Sequence, residues 1–592
     1  MYTDADNVSF NISAEPVRIF NDSAYVSVKI ESNESVNRTF KLKFKNENST
    51  STIKLDNNMS STLRSDDFNI TSKNDKVLEV IDNTTNESAC NLTVLFKNNE
   101  IINYNNLILQ DSNSITINPG DSIQNAINNA KPGDTIELTD GKYNEWNITV
   151  NKSNLTIKAV DGANVIVNAD GKSLVFNVVP NSINDYCNII GLTITGGKPT
   201  DSNGVLKGGG ISVYTNKYAA GEYVNITNCT ITNCTSCNDS TDVNTGGGGG
   251  VYGSSRTIVR DCTITNNTAN GLSNRIGGGI SFNDKIGTVI NCTITNNTAD
   301  KDGGGVYSGT VINCTIANNR AKAYGGGVRT TGNVIGCTIT NNTLTNGTTS
   351  NNGGGIYISN GGTVTNSTIT GNNVTGSSSL IQGGGVYMTD AGMTNCTIAN
   401  NTVTNTRIST STLYRANGGG VYAYNILTTT TNVTNCTITG NNATGPNNQS
   451  RGGGVYNNAA TVNYCRVFNN TAFNGSDAYT ASSDKYTANI DFNWWGTNNI
   501  KTDNMISGSL PNGYYLVQIG ANDFYTTVNS SVSGIVPVPL SYDLVLNATN
   551  DSAGVSNLPD FNKTIYLDKS DSSSSRSFFN SRIFRTGMGD PI

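Results

Sequence analysis

Residues 291–307 read Asn-Cys-Thr-Ile-Thr-Asn-Asn-Thr-Ala-Asp-Lys-Asp-Gly-Gly-Gly-Val-Tyr. Both halves of this phrase recur. Nine glycine triplets lie between residues 208 and 454, each followed by Val or Ile, and variants of Asn-Cys-Thr-Ile-Thr-Asn-Asn lie between them. The shortest unit, Gly303 to Tyr324, has 22 residues. A self-similar period of that length predicts stacked coils of a solenoid, in which each coil completes its core only against its neighbours.

Alternation within the phrase assigns directions, because successive strand side chains point to opposite faces. In Cys-Thr-Ile-Thr, Cys and Ile share one parity and the threonines the other. Cys229, Cys262, Cys292, Cys314, Cys337, Cys396, Cys436 and Cys465 hold one repeat position, which Ser367 fills in the remaining rung. A position that takes Cys or Ser is expected to be a tight interior. In Gly-Gly-Gly-Val-Tyr, Val points inward, with Ile358, Met388 and Ala423 two residues further on. The residue between points outward. The expected outward aromatic column is Tyr252, Phe282, Tyr307, Tyr357, Tyr387, Tyr422 and Tyr456, and it admits Ser212 and Arg329, which a dry interior would reject. Paired asparagines such as Asn296-Asn297 suit turns whose amides bond between rungs. These features together predict an all-β, right-handed parallel β-helix.

Outward from the repeats the pattern changes. Residues 1–110 alternate apolar and polar in short runs such as Tyr25-Val-Ser-Val-Lys-Ile30, predicting a β-sandwich, immunoglobulin-like, domain. Ile123, Ala126, Ile127 and Ala130 fall at helical spacing behind Asp121-Ser122, predicting a short helix that caps the first rung of a β-helix spanning 115–500. Trp494-Trp495 is expected to seal the far end. Residues 501–541, with Ile535-Val-Pro-Val-Pro-Leu540, read as a linker, and 542–592 as the start of an incomplete β domain with a disordered tail.

Only 14% of residues are charged and the net charge is −6, which argues against nucleic acid as a partner. No apolar stretch is long enough to span a bilayer. Neither the start, Met1-Tyr2-Thr3-Asp4, nor the serine-rich end carries a leader or anchor, so those segments are expected to be missing from the chain. Asn-x-Ser/Thr sequons are dense, with Asn228, Asn291, Asn313, Asn395 and Asn435 the glycosylation candidates. No histidine is present, and no column of acidic residues recurs through the repeats. The residues therefore predict no catalytic site, no cofactor and no metal. Cys229, Cys234 and Cys237 have cluster-like spacing but read as small buried or loop cysteines. The ladder cysteines are expected to stay reduced, because stacked parallel Cβ vectors are poorly placed for disulfides.

The Gly-Gly-Gly-Val-Tyr and Asn-Cys-Thr-Ile-Thr-Asn-Asn repeats, the Ser122-Ile-Gln-Asn-Ala-Ile helix and Asn493-Trp-Trp-Gly496 resemble the adhesin-like surface proteins of methanogenic archaea. More loosely, they resemble bacterial polymorphic outer-membrane protein repeats. The resemblance covers roughly residues 115–500 and implies an extracellular, non-enzymatic cell-surface adhesin that binds glycans or the surface of another cell. The tyrosine column is the candidate contact strip, since aromatic rings beside hydroxyls and amides suit carbohydrate. A carbohydrate-active enzyme (polysaccharide lyase or glycoside hydrolase) and a viral fibre or tailspike are the alternatives on the same fold.

Overall fold

In a computed structural model the chain divides into two units, Met1–Ser114 and Ile115–Ile592. The structure describes strand backbones between residues 2 and 107. It also describes residues 114–521 and 540–559, except 153, 180–185, 200–206, 215–222, 237–246, 255, 271–275, 346–350, 408–413, 427–430, 483–486 and 501–503. Cys237 and the tail beyond 559 fall outside the described residues.

The first unit joins eight strands in one antiparallel hydrogen-bonded network. Its longest strand, Ser23–Phe44, changes partners along its length, pairing with Ser9–Ile19 and Lys76–Asp82 on one edge and with Thr50–Leu63 on the other.

The second unit is a parallel β-helix. Three long sheets of 13, 15 and 13 strands run its length, with two shorter ribbons of 8 and 4 strands beside them. One rung shows the path. Val334–Ile335 lies in the first sheet, and Thr338–Thr340 lies in the second, here the threonine sheet. Thr343–Thr345 and Asn351–Asn352 form the two ribbons. Ile356–Ser359 lies in the third long sheet, the tyrosine sheet, and Thr363–Thr365 begins the next rung. Register is kept from rung to rung, with Ile294 beside Ile316, then Ile339, Ile369, Ile398 and Ile438. These isoleucines, with the valines after each triplet, are fully buried in one continuous core. Each contributes roughly 1.5–3 kcal/mol of burial.

Two polar ladders run through this interior. The backbone N–H of Cys292 donates to Sγ of Cys314 at 3.3 Å, and the Cys292 thiol donates to the Ile290 carbonyl at 3.1 Å. Ser367 fits the same column because its Oγ accepts from the Cys337 N–H at 3.1 Å. The second ladder is made by the second asparagine of each pair. Asn297 Nδ2 donates to Asn319 Oδ1 at 3.0 Å and to the Ile264 carbonyl at 2.9 Å, while its N–H donates to the same Oδ1 at 2.9 Å. The ladder begins at Cys234, whose N–H donates to Asn267 Oδ1, and ends where Asn470 Nδ2 donates to the buried Asp477 at 2.9 Å. Cys234 therefore occupies an asparagine position, and Cys229 belongs to the thiol ladder. Ten cysteines are buried and unbridged. Burial pushes the thiols of Cys187 and Cys234 up to about 12.

Each glycine of a triplet has its own reason. Gly303 sits at φ 63°, a Cβ on Gly304 would collide with the Gly326 carbonyl oxygen, and one on Gly305 would lie 2.9 Å from the Gly327 oxygen.

Both ends are closed. The helix Ile123–Asn129 is capped by Ser122, whose Oγ accepts from the Asn125 N–H at 3.1 Å, and it buries Ile123, Ala126 and Ile127. At the far end Trp495 lies in the main core, while Trp494 packs with Tyr515, Leu546 and Leu558. Of the expected linker, 501–541, and further β domain, 542–592, residues 501–503, 522–539 and 560–592 lie outside the described residues, and the rest carries strands. Tyr514–Ala521 adds a parallel strand to the threonine sheet, and Leu540–Leu546 returns antiparallel against it. Tyr515 and Leu546 supply the apolar cover that the last rung needs, so the segment continues the rod's end.

Candidate functional site

Two outward faces repeat from rung to rung, and they differ in what is left to bind. On the tyrosine sheet the column reads Ser212, Tyr252, Ser281, Tyr307, Arg329, Tyr357, Tyr387, Tyr422, Tyr456 and Tyr479 in register. Phe282 is not a member. Ser281 holds that position, and Phe282 points inward at 1% exposure, its ring filling space left by Gly253, Gly287 and Gly309. The sequence Gly-Gly-Gly-Ile-Ser-Phe displaces the aromatic by one residue, and a shift of one reverses the side.

The remaining members point outward but are not open. Tyr387, Tyr422 and Tyr456 are 8%, 6% and 8% exposed. Successive rings from Tyr357 to Tyr479 stack at centroid separations of 4.9, 5.1, 4.9 and 5.1 Å, nearly parallel. Their faces are thus covered by each other, and a sugar ring has no π-face to lie on. At three triplets the residue before the glycines covers the column of the next rung. Asp302 pairs with Arg329 at 2.9 Å, Tyr324 packs on Tyr357 at 5.0 Å, and Arg451 lies over Tyr479 at 4.8 Å. Burial pushes the Tyr252 phenol up to about 12 and moves those of Tyr387 and Tyr422 still higher. From Tyr357 to Tyr479 the strip is therefore a closed aromatic seam, while Tyr307 is half-buried between Ser281 and Arg329.

The threonine sheet is open. From Thr230–Thr232 to Thr437–Thr439 eight strands read Thr-Ile-Thr or Thr-Ile-Ala, with no charged residue among them. Ile points in. In the first threonine column Thr263, Thr293, Thr315, Thr338, Thr368 and Thr397 are exposed, and among the described residues their hydroxyls make no hydrogen bond. The second column is half-buried and partly self-linked, with Thr295 Oγ1 donating to Thr265 Oγ1 at 3.1 Å.

Both edges of this face are corners in the left-handed region. One edge carries the glycosylation candidates Asn228, Asn291, Asn313, Asn395 and Asn435, with φ between 50° and 54°. The other carries Asn233, Asn266, Asn296, Asn318, Asn341 and Asn400, with φ between 53° and 57°. Asparagine tolerates that conformation better than other non-glycine residues. The sequons at the first edge follow from the fold, which needs a left-handed Asn, an inward Cys and a strand Thr in succession. Their density therefore has a structural cause independent of any sugar. The sequence signal for this face lay in the repeat itself, since Thr-Ile-Thr is the stretch of the rung with no insertion anywhere.

Among the described residues no group of three His, Cys, Asp or Glu gathers that could hold a metal. No helix is long and apolar enough to cross a membrane.

No family model matches the chain, and no curated protein is similar to it. Solved structures that are similar to it share the parallel β-helix. The A-module of an Azotobacter vinelandii mannuronan C-5 epimerase is 15% identical over 64% of this chain and 96% of its own, with a TM-score of 0.34. A pectate lyase is 14% identical over 51% and 80%, with a TM-score of 0.28. A tailspike protein of an E. coli bacteriophage, solved with a pentasaccharide, is 14% identical over 68% and 78%, with a TM-score of 0.28. The first two are enzymes. The expectation that the chain is not an enzyme is corrected accordingly, because rods of this kind include catalysts and the fold does not separate the two classes.

Proposed function

We propose that the chain is an adhesin-like surface protein that attaches to glycans through its threonine face. The observation that carries this reading is the open, uncharged, in-register array of threonine hydroxyls over eight rungs, beside a tyrosine face already satisfied by itself. Hydroxyls and methyls on a rigid sheet offer many small contacts to a partner rich in hydroxyls, and none of them requires a countercharge. Resemblance of the repeats to archaeal adhesin-like proteins supports the same placement at a cell surface.

The test is binding of the full chain to a panel of glycans, soluble and insoluble, beside a Thr315→Lys/Thr338→Lys variant. Both positions face solvent, so the variant folds and loses binding on this reading. Equal binding by the variant, or no glycan bound by either protein, refutes it. Assaying the same mixtures for released sugar tells an attachment rod from one that cleaves what it holds.

A further inference from the structure

We infer that the threonine face takes its partner as an ordered sheet of uncharged polysaccharide chains lying side by side, and not as a single dissolved chain. This rests on the glycan reading above and names the form of the glycan.

The first argument is shape. In each of the eight rungs the stretch from corner to corner has the same length, Cys or Ser, Thr, Ile, then Thr or Ala, between left-handed corners such as Asn291 and Asn296. Insertions that lengthen other rungs fall elsewhere. The result is a face of constant width in unbroken register, which meets a partner from one side only. Strand spacings of about 4.8 Å between rungs and about 3.3 Å along them give the four residues between corners a face of about 500 Å² over eight rungs, the same order as an interface side. Most of that face has to be covered to approach the roughly 800 Å² per partner of a stable interface. A single extended polysaccharide chain lies along one or two columns and leaves most of that area unused.

The second argument is order. Threonine is β-branched and stiff at χ1, and here it is held in a ladder, so the protein side is already arranged. A dissolved chain loses its conformational freedom on binding and gains only weak hydroxyl contacts, because no exposed aromatic ring on this face offers stacking. Chains already fixed in a lattice lose little and meet every column together, so small contacts multiply across rungs.

The third argument is charge. Neither threonine column carries a charge, so a polyanionic or polycationic polysaccharide would desolvate its ions without a partner.

The experiment mixes full-length protein with microcrystalline cellulose, crystalline chitin, the matching soluble oligosaccharides, polygalacturonate and ice. The expected result is depletion onto at least one crystalline polysaccharide and at least about a hundredfold weaker binding of its soluble oligosaccharide. Thr315→Lys/Thr338→Lys is expected to weaken adsorption at least about tenfold, and Thr338→Val, which keeps the shape, less than that. Equal binding of soluble and crystalline forms, lost in the Lys variant, overturns this inference and leaves the glycan reading standing. Adsorption to polygalacturonate alone overturns it on charge. Adsorption to ice with none to polysaccharide overturns both, replacing the glycan with a water lattice.

Discussion

The threonine and tyrosine faces are built by the same repeat, keep the same register, and both point away from the core. Only one of them is a surface. At the tyrosine sheet each ring from Tyr357 to Tyr479 finds its neighbour at about 5 Å, and Tyr324 and Arg451 cover the column from the side. At the threonine sheet the exposed hydroxyls of Thr293, Thr315 and Thr338 find no partner among the described residues. A repeated outward column is therefore no sign of a ligand until its own contacts have been subtracted. Large side chains at rung spacing cover each other, whereas the threonines of the first column leave their hydroxyls uncovered.

The largest expected effect separates the two faces most directly. Tyr387→Ala removes a ring stacked on both sides and nearly buried. It should cost about 3–4 kcal/mol of stability in urea unfolding, in the range of large aromatic truncations. Adsorption by the folded fraction should be unchanged. A variant of normal stability and lost binding would invert the comparison.

The asparagine pair at the edge of the threonine face repeats the contrast on a smaller scale. Asn319→Ala breaks a buried ladder, orphaning the N–H of Asn297 and one of the two hydrogens on its Nδ2, the other staying on the Ile264 carbonyl. A loss of about 2–3 kcal/mol is expected, since each unsatisfied buried group costs about 1–3. Its neighbour Asn318, at φ 57° on the corner, should cost about 1 kcal/mol on change to Ala, and almost nothing on change to Gly. Equal losses at 318 and 319 would mean that the ladder is not what the pair provides.

How far the chain could be read without coordinates follows the same division. Inward columns were legible, because a core forces residue type at fixed parity; Cys292, Ile294, Val306 and Ile358 all lie where alternation puts them. The closing helix was legible from Ser122 and its apolar spacing. Three features were not. Phe282 was misplaced because a one-residue shift reverses sides. Strands Tyr514–Ala521 and Leu540–Leu546 break the repeat, and their pairing depends on contacts distant in sequence. The covering of the tyrosine column was the third, since direction is local and exposure depends on residues such as Tyr324 and Arg451 one rung away.

Alkaline pH should act on the tyrosine face and the thiol-bearing interior and leave the threonine columns unchanged. Tyr252 is raised from 10.0 to about 12 and Cys234 from 9.0 to about 12, both by burial. A folded-state value above the unfolded one favours the neutral group in the rod. The stability it contributes is complete below the unfolded value and is lost as pH rises through the folded one. Stability should therefore hold to about pH 9 and fall between about 9 and 12, which unfolding midpoints across that range would show. The threonine strands carry no titratable group, so adsorption of still-folded protein should not change over the same range.

The smallest expected effect on stability belongs to the face proposed to bind. Thr338→Lys replaces an exposed hydroxyl that has no partner, so unfolding should shift by no more than about 0.5 kcal/mol. What changes is the surface. A long, hydrated cation now stands on the array between Thr315 and Thr368, its register neighbours, and holds a planar partner away from both. One substitution therefore disturbs three rungs. Placed at Thr437, beside the last such strand, the same change has only one threonine neighbour in its column, because Arg466 already stands on the other side. Adsorption should fall more for Thr338→Lys than for Thr437→Lys at matched stability. Equal losses at the two positions would mean that the rungs act independently, and the continuity of the face would then have no part in attachment.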